Sequence, residues 1–464
     1  MIKRFTRTAT PLALALALAG CMSLAPKYER PAAPVAASFP ELTPGAATGA
    51  AASSIAWQQF FADARLKQLI ELALANNRDL RVAILNIEQA RAQYQIRRAD
   101  TLPSVSAGVS GSRAVESEDS IRSTYSAGLV VSAFELDLFG RVRSLSDAAL
   151  AQFLATEEAR KATHISLVAS VANAYLQLLA DEELLALTQK TLDARLESLK
   201  LVQLKYDNGV VSKLDLQQSL SLVDSARVTL AQQQRLRAQD TNLLTLLVGQ
   251  TLPETLAPGT TLAETMLSEL PGGLPSDRLA VRPDIRAAEQ QLVAANANIG
   301  AARANFFPRI SLTGSAGSVS SELSGLFKSG SFGWSFAPQM VLPIFDYGRN
   351  SATLGSAKAG REIAVAQYEK SIQTAFREVA DGLAGQATFS EQLRAQRAVA
   401  AAEAERFNLS DLRYRSGASS YLDLLDAQRS LFAAQQAAVQ ANLQRLQNQV
   451  TLYRVLGGGW TTTQ

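Results

Sequence analysis

Tyr206-Asp207-Asn208-Gly209-Val210-Val211-Ser212-Lys213-Leu214-Asp215-Leu216 returns 208 residues later as Tyr414-Arg415-Ser416-Gly417-Ala418-Ser419-Ser420-Tyr421-Leu422-Asp423-Leu424. The tyrosine, the glycine, the serine and the Leu-Asp-Leu positions are kept. The same interval relates Phe139-Gly140-Arg141 to Tyr347-Gly348-Arg349 and Val248-Gly249 to Leu456-Gly457. Nearer the start of each copy the interval is 205, pairing Asp79-Leu80 with Asp284-Ile285 and Leu102-Pro103 with Phe307-Pro308. Turn residues and apolar positions repeat together, so the chain reads as two copies of one structural unit.

Working outward from the repeated turn, each copy offers a long helical stretch before it and a shorter one after it. The long stretches run from about Arg141 to Tyr206 and from about Asn350 to Tyr414 without a proline. About 65 residues at ~1.5 Å each is on the order of 100 Å. The returning stretches run from about Lys213 to Leu247 and from about Tyr421 to Leu456. The expected result is two helical hairpins of coiled-coil character. Upstream, apolar residues keep helical spacing from Leu66 to about Ala99, and Pro103 marks the exit.

Between the first helix and the long rod of each copy the period changes from 3.6 to 2. Ile310, Leu312, Gly314 and Ala316 alternate with Ser311, Thr313, Ser315 and Gly317, and Phe332, Trp334 and Phe336 alternate with Ser331, Gly333 and Ser335. Val105, Ala107 and Val109 alternate likewise, as do Tyr125, Ala127, Leu129 and Val131. Strands are expected over about 103–113, 123–136, 308–318 and 331–343. Apolar-out, polar-in segments of this length suit either a membrane barrel or two soluble hairpins. If they enter hydrocarbon they must close, and four strands enclose nothing. A dimer would supply eight strands and a trimer twelve, and the trimer leaves a lumen.

The composition agrees with long packed helices: 47% of residues are apolar and only 6% aromatic. Lys3, Arg4 and Arg7, an apolar run from Leu12 to Leu18, and Ala19-Gly20 read as a secretory signal peptide over 1–20. Leu18-Ala19-Gly20-Cys21 resembles the bacterial lipobox, which implies a lipid on Cys21; no cofactor is expected. Cys21 is the only cysteine, so no disulfide can form. Met22, where inner-membrane retention would use aspartate, points to the outer membrane. Removing the three cations of the signal takes the formal charge from +3 to zero, which withdraws the electrostatic case for nucleic acid. Pro-rich residues 21–56 read as an extended, lipid-anchored segment, 250–277 as a linker and 458–464 as a tail, leaving repeats at 57–249 and 278–457.

The mature chain resembles the outer-membrane efflux proteins of Gram-negative bacteria, in particular the lipoprotein branch that serves resistance-nodulation-division pumps. Tyr414 to Arg429, with Ser430-Leu431-Phe432 after it, carries the resemblance most specifically, and Arg282-Pro283-Asp284-Ile285 supports it. It implies a mainly α fold with a small membrane β part. It also implies a homotrimer whose twelve-stranded β-barrel continues into a periplasmic α-helical barrel. The partners implied are a periplasmic adaptor, an inner-membrane transporter and outer-membrane lipid. The family's closed periplasmic end falls on Tyr414, Leu422, Asp423 and Asp426. Its adaptor-contacting turns fall on Gly209-Val210-Val211 and Gly417-Ala418-Ser419. One branch has arginine where this chain has Ser419, so an arginine-based lock is not expected here.

Residue chemistry gives catalysis little support. The single histidine, His164, sits mid-rod and excludes two-histidine metal motifs, and no phosphate-cradling glycine loop is present. The function expected is a passive outer-membrane exit duct for drugs or other small molecules, driven by a partner, and not an enzyme. A type I protein-secretion duct and a non-conducting helical scaffold are the alternatives.

Overall fold

The computed structural model describes residues 23–39, 55–117, 120–268 and 276–460. The signal peptide, Cys21 and the tail from 461 lie outside the described residues. Helices are α1 (Trp57–Phe60), α2 (Ala64–Asn76), α3 (Arg78–Ala99), α4 (Arg141–Asp207), α5 (Lys213–Val248), α6 (Pro283–Ala304), α7 (Arg349–Arg415) and α8 (Tyr421–Val455). Strands are β1 (Val105–Ser117), β2 (Ser120–Leu136), β3 (Arg309–Ser320) and β4 (Phe332–Val341). Two compact units form. One takes the residues up to Ala33, Leu85–Glu158 and Arg286–Ser371; the other takes Pro34–Ile84, Ala159–Ile285 and the residues from Ile372 onward. Each draws on both sequence copies.

The first unit carries the sheet, antiparallel throughout in the order β1-β2-β3-β4. β2 and β3 come from different copies, so the copies are joined by a ladder. Paired residues share a face, and the register sets most small polar side chains against most large apolar ones. One face carries Ser110, Ser126, Ser315 and Ser335, the first pair joined Oγ to Oγ at 2.8 Å and the second at 2.7 Å. The other carries Val109, Leu129, Trp334 and Phe336, all more than half exposed. A bulge between Val131 and Phe134 shifts the β2–β3 register, with Ala133 at φ 49° donating its N–H to Thr313 Oγ1 at 3.2 Å. Glycines 108, 128, 317 and 333 form a continuous row across the four strands. β1 and β4 are each paired on one side only among the described residues.

Beneath the sheet, Phe139 stacks on Phe307 with centroids 4.6 Å apart. The N-terminal segment lies along α6: Arg30 grips Glu289 through two bonds of 2.7 Å, Asn296 donates to Pro26 O at 2.7 Å, and Arg303 donates to Leu24 O at 3.0 Å. Gly300 is needed there, because a Cβ would meet Ala25 at 2.8 Å.

The second unit is helical. One of its buried junctions is polar: Asp63 caps α2 through Arg65 N and Leu66 N and also accepts from Tyr175 Oη at 3.0 Å and Thr260 Oγ1 at 2.6 Å. The stretch expected to be helical from Leu66 to Ala99 is interrupted at Asn77. This residue has extended backbone, accepts from Leu80 N at 2.9 Å and donates Nδ2 to Leu247 O at 2.8 Å. Continuing the helix would lose both side-chain bonds. Among the described residues no helix is long and apolar enough to cross a membrane.

Candidate functional site

Both long rods end in the same way, and the reason is local. Gly209 (φ 72°) and Gly417 (φ 76°) take the left-handed conformation that a residue with a Cβ resists. Val210 N donates to Lys205 O at 2.8 Å and Gly209 N to Tyr206 O at 2.9 Å; Ala418 N donates to Arg413 O at 2.8 Å and Gly417 N to Tyr414 O at 3.1 Å. These are paired Schellman closures. The returning helices then begin with reciprocal caps. Ser212 N and Oγ donate to Asp215 Oδ2 at 3.0 and 2.8 Å while Asp215 N donates back at 3.2 Å. Ser420 and Asp423 repeat the pattern at 3.2, 2.9 and 3.3 Å.

The tips enclose an apolar cluster of Val202, Leu216, Leu222, Tyr414, Tyr421, Leu424 and Leu425, with Val211 partly buried against it. The Tyr414 and Tyr421 rings meet at 5.3 Å. Burial, then Tyr421 and Asp215, push the Tyr414 hydroxyl upward, so it is neutral at physiological pH. Neither tyrosine hydroxyl finds a hydrogen-bond partner in this chain.

Of the gate residues expected from the sequence, the structure brings Tyr414 into the cluster and leaves Leu422 outside it, 60% exposed. Asp423 is engaged in its cap, and Asp426 is ion-paired with Arg406, which also reaches Glu403 Oε2 at 3.1 Å. Gly209, Val210, Gly417 and Ala418 are exposed at the turns, and Ser419 is half-buried with an unpartnered Oγ. Sequence reasoning missed Arg406, Tyr421 and Lys205. Arg406 and Asp426 each stand ten residues from Ser416, a mirror spacing that an antiparallel hairpin makes adjacent. His164 is buried, edge-on to Trp460 at 5.1 Å, and burial followed by Arg160 lowers it to about 4. It packs. Among the described residues no group of acidic, histidine or cysteine side chains could hold a metal ion.

The model of the family described as outer membrane efflux protein matches residues 69–250 and again 274–458, one match per copy. The chain belongs to the outer membrane efflux protein family. Two curated relatives from Pseudomonas putida, an antibiotic efflux pump outer membrane protein, ArpC, and a toluene efflux pump outer membrane protein, TtgC, are each 50% identical over 465 residues, covering 98% of this chain and 96% of the relative. The open-state structure of the MtrE outer membrane channel of Neisseria gonorrhoeae is 42% identical and superposes with a TM-score of 0.86 over 94% of this chain and 98% of that one. This outer membrane efflux protein is therefore the outer-membrane component of an efflux pump, and its hairpins and sheet are those of an exit duct.

Proposed function

We propose that three copies of this efflux protein close a twelve-stranded barrel, that the helical tips gate it, and that it passively conducts drugs or other small molecules delivered by a periplasmic adaptor and an inner-membrane transporter. One observation carries the reading: the junction from the end of the first copy to the start of the second is covered, and the equivalent junction from the end of the second copy to the start of the first is bare. Phe139 is half-buried on Phe307, whereas their repeat partners Tyr347 and Leu102 are 91% and 71% exposed. Helix α6 is buried along most of its length, while in its partner α3 only Leu80 is buried. A neighbouring copy supplying the missing half would also pair β4 with β1. Unpaired backbone in hydrocarbon costs several kcal/mol per group, so the edges cannot stay open. The apolar sheet face then meets lipid and the serine face lines the lumen.

Tyr414, Leu422, Asp423 and Asp426 form the closed end under this reading, with threefold symmetry turning each carboxylate into a ring. Gly209-Val210-Val211 and Gly417-Ala418-Ser419 are the adaptor contacts. A lipid on Cys21 anchors the chain: Leu24, three residues on, is held beside Arg303, near the end of α6 and just ahead of β3. No chemistry is asked of the duct, and its driving energy comes from the pump.

Purified protein in planar bilayers tests the proposal. Discrete openings are expected, enlarged by Asp423→Ala combined with Asp426→Ala. Electrical silence from both proteins would favour the scaffold alternative.

A further inference from the structure

The Tyr414 ring, at the tip of the second hairpin, lies against a cation. Lys205 Nζ is 4.0 Å from the centroid of the Tyr414 ring. Lys205 stands near the end of α4, in the first hairpin, and Tyr414 near the end of α7, in the second. Both positions are fixed. The Lys205 carbonyl accepts from Val210 N in the first Schellman turn, and Tyr414 O accepts from Gly417 N in the second. Val202, one turn before Lys205, is fully buried in the same cluster as Tyr414. The ring is 6% exposed, so the cation faces it with little intervening water, where attraction to the π face is strongest. The Tyr414 hydroxyl is buried without a partner, so hydrogen bonding does not account for the ring's position.

We propose that Lys205 is a positioning residue of the closed gate. Its ammonium, seated on the face of Tyr414, clasps the first hairpin to the second, and opening requires the two to part. The ring carries this function and the hydroxyl does not. The proposal rests on the gate reading above. Three weak clasps acting together in a trimer would shift the open fraction on the order of ten-fold.

Single-channel recording of the full-length protein in planar bilayers tests it. Lys205→Met keeps the aliphatic stem and removes the charge, and Tyr414→Leu removes the ring; each is expected to raise the open fraction about ten-fold. The double variant should open no further than either single one, as two partners of one interaction require. Lys205→Arg, which keeps the cation, and Tyr414→Phe, which keeps the ring, should rescue closure. Unchanged melting temperatures separate gating from unfolding. The clasp is overturned by a closed Lys205→Met channel, by additive effects in the double variant, or by Tyr414→Phe opening as fully as Tyr414→Leu. If the two aspartate substitutions open the channel while Lys205→Met does not, the clasp alone fails. If none of these variants opens it, the gate reading fails with it.

Discussion

Gly128 and Gly317 face each other across the seam between β2 and β3 so closely that neither could carry a side chain. A Cβ on Gly128 would run into the Ala316 carbonyl and the Gly317 Cα, and one on Gly317 into the Ala127 carbonyl and the Gly128 Cα. Gly108 and Gly333, at the ends of the same row, have open space around the same position. The close approach therefore belongs to the seam where the two sequence copies meet.

Gly128→Ala or Gly317→Ala should cost about 1–3 kcal/mol through backbone displacement and reduce the amount of folded, membrane-assembled protein recovered. Gly108→Ala and Gly333→Ala should assemble as the parent does. Equal behaviour of all four would mean that the seam tolerates the displacement.

Arg282 Nη1 donates to Val455 O at 2.7 Å, and its Nη2 reaches Asp284 Oδ2 at 2.7 Å and Glu378 Oε2 at 3.0 Å. Arg282→Met should lower stability by about 3 kcal/mol at pH 7, because two carboxylates and a carbonyl lose their donor. Burial pushes Asp284 up, but the Arg282 guanidinium outweighs it and holds the carboxyl below its usual range. A depressed carboxyl gives stability above its unfolded value that is lost as pH falls through the folded one. The difference between parent and variant in denaturant melts should thus shrink below about pH 4.

Asp240 shows the opposite sign. Burial first, then the neighbouring carboxyl of nearly inaccessible Asp181, raises it to about 7. A raised carboxyl gives stability that is complete below its unfolded value and lost as pH rises through the folded one. Asp240→Asn should raise the unfolding free energy at pH 8 by about 1 kcal/mol, once solvent screening is discounted, and leave it unchanged at pH 4. A gain of equal size at both values would exclude titration of this pair.

Ser420→Ala removes the oxygen that receives Asp423 N and should cost about 1 kcal/mol at the start of α8. Amide exchange at Leu422, Asp423 and Leu424 should quicken while exchange in the middle of α8 does not. Ser212→Ala should do the same for α5.

The hairpins were legible because their signals are local. Rods expected over 141–206 and 350–414 are found as Arg141–Asp207 and Arg349–Arg415, each ended by a glycine and restarted by a capping serine. The strands were legible by alternation, with ends differing by up to four residues. The break at Asn77 was not, since its reason is the Leu247 carbonyl, 170 residues away. Nor was Lys205, whose partner Tyr414 comes from the other copy, whereas Arg406 left a trace in its mirror spacing with Asp426 about the turn.

The sequence by itself determined that the chain is a repeated unit with paired turns, long rods and alternating strands, because spacing, glycine placement and caps act over a few residues. Only the tertiary structure decided which copy's strand lies beside which, where Gly128 meets Gly317, and which cation faces Tyr414. Those depend on distances between residues far apart in the chain, which periodicity does not encode and packing does.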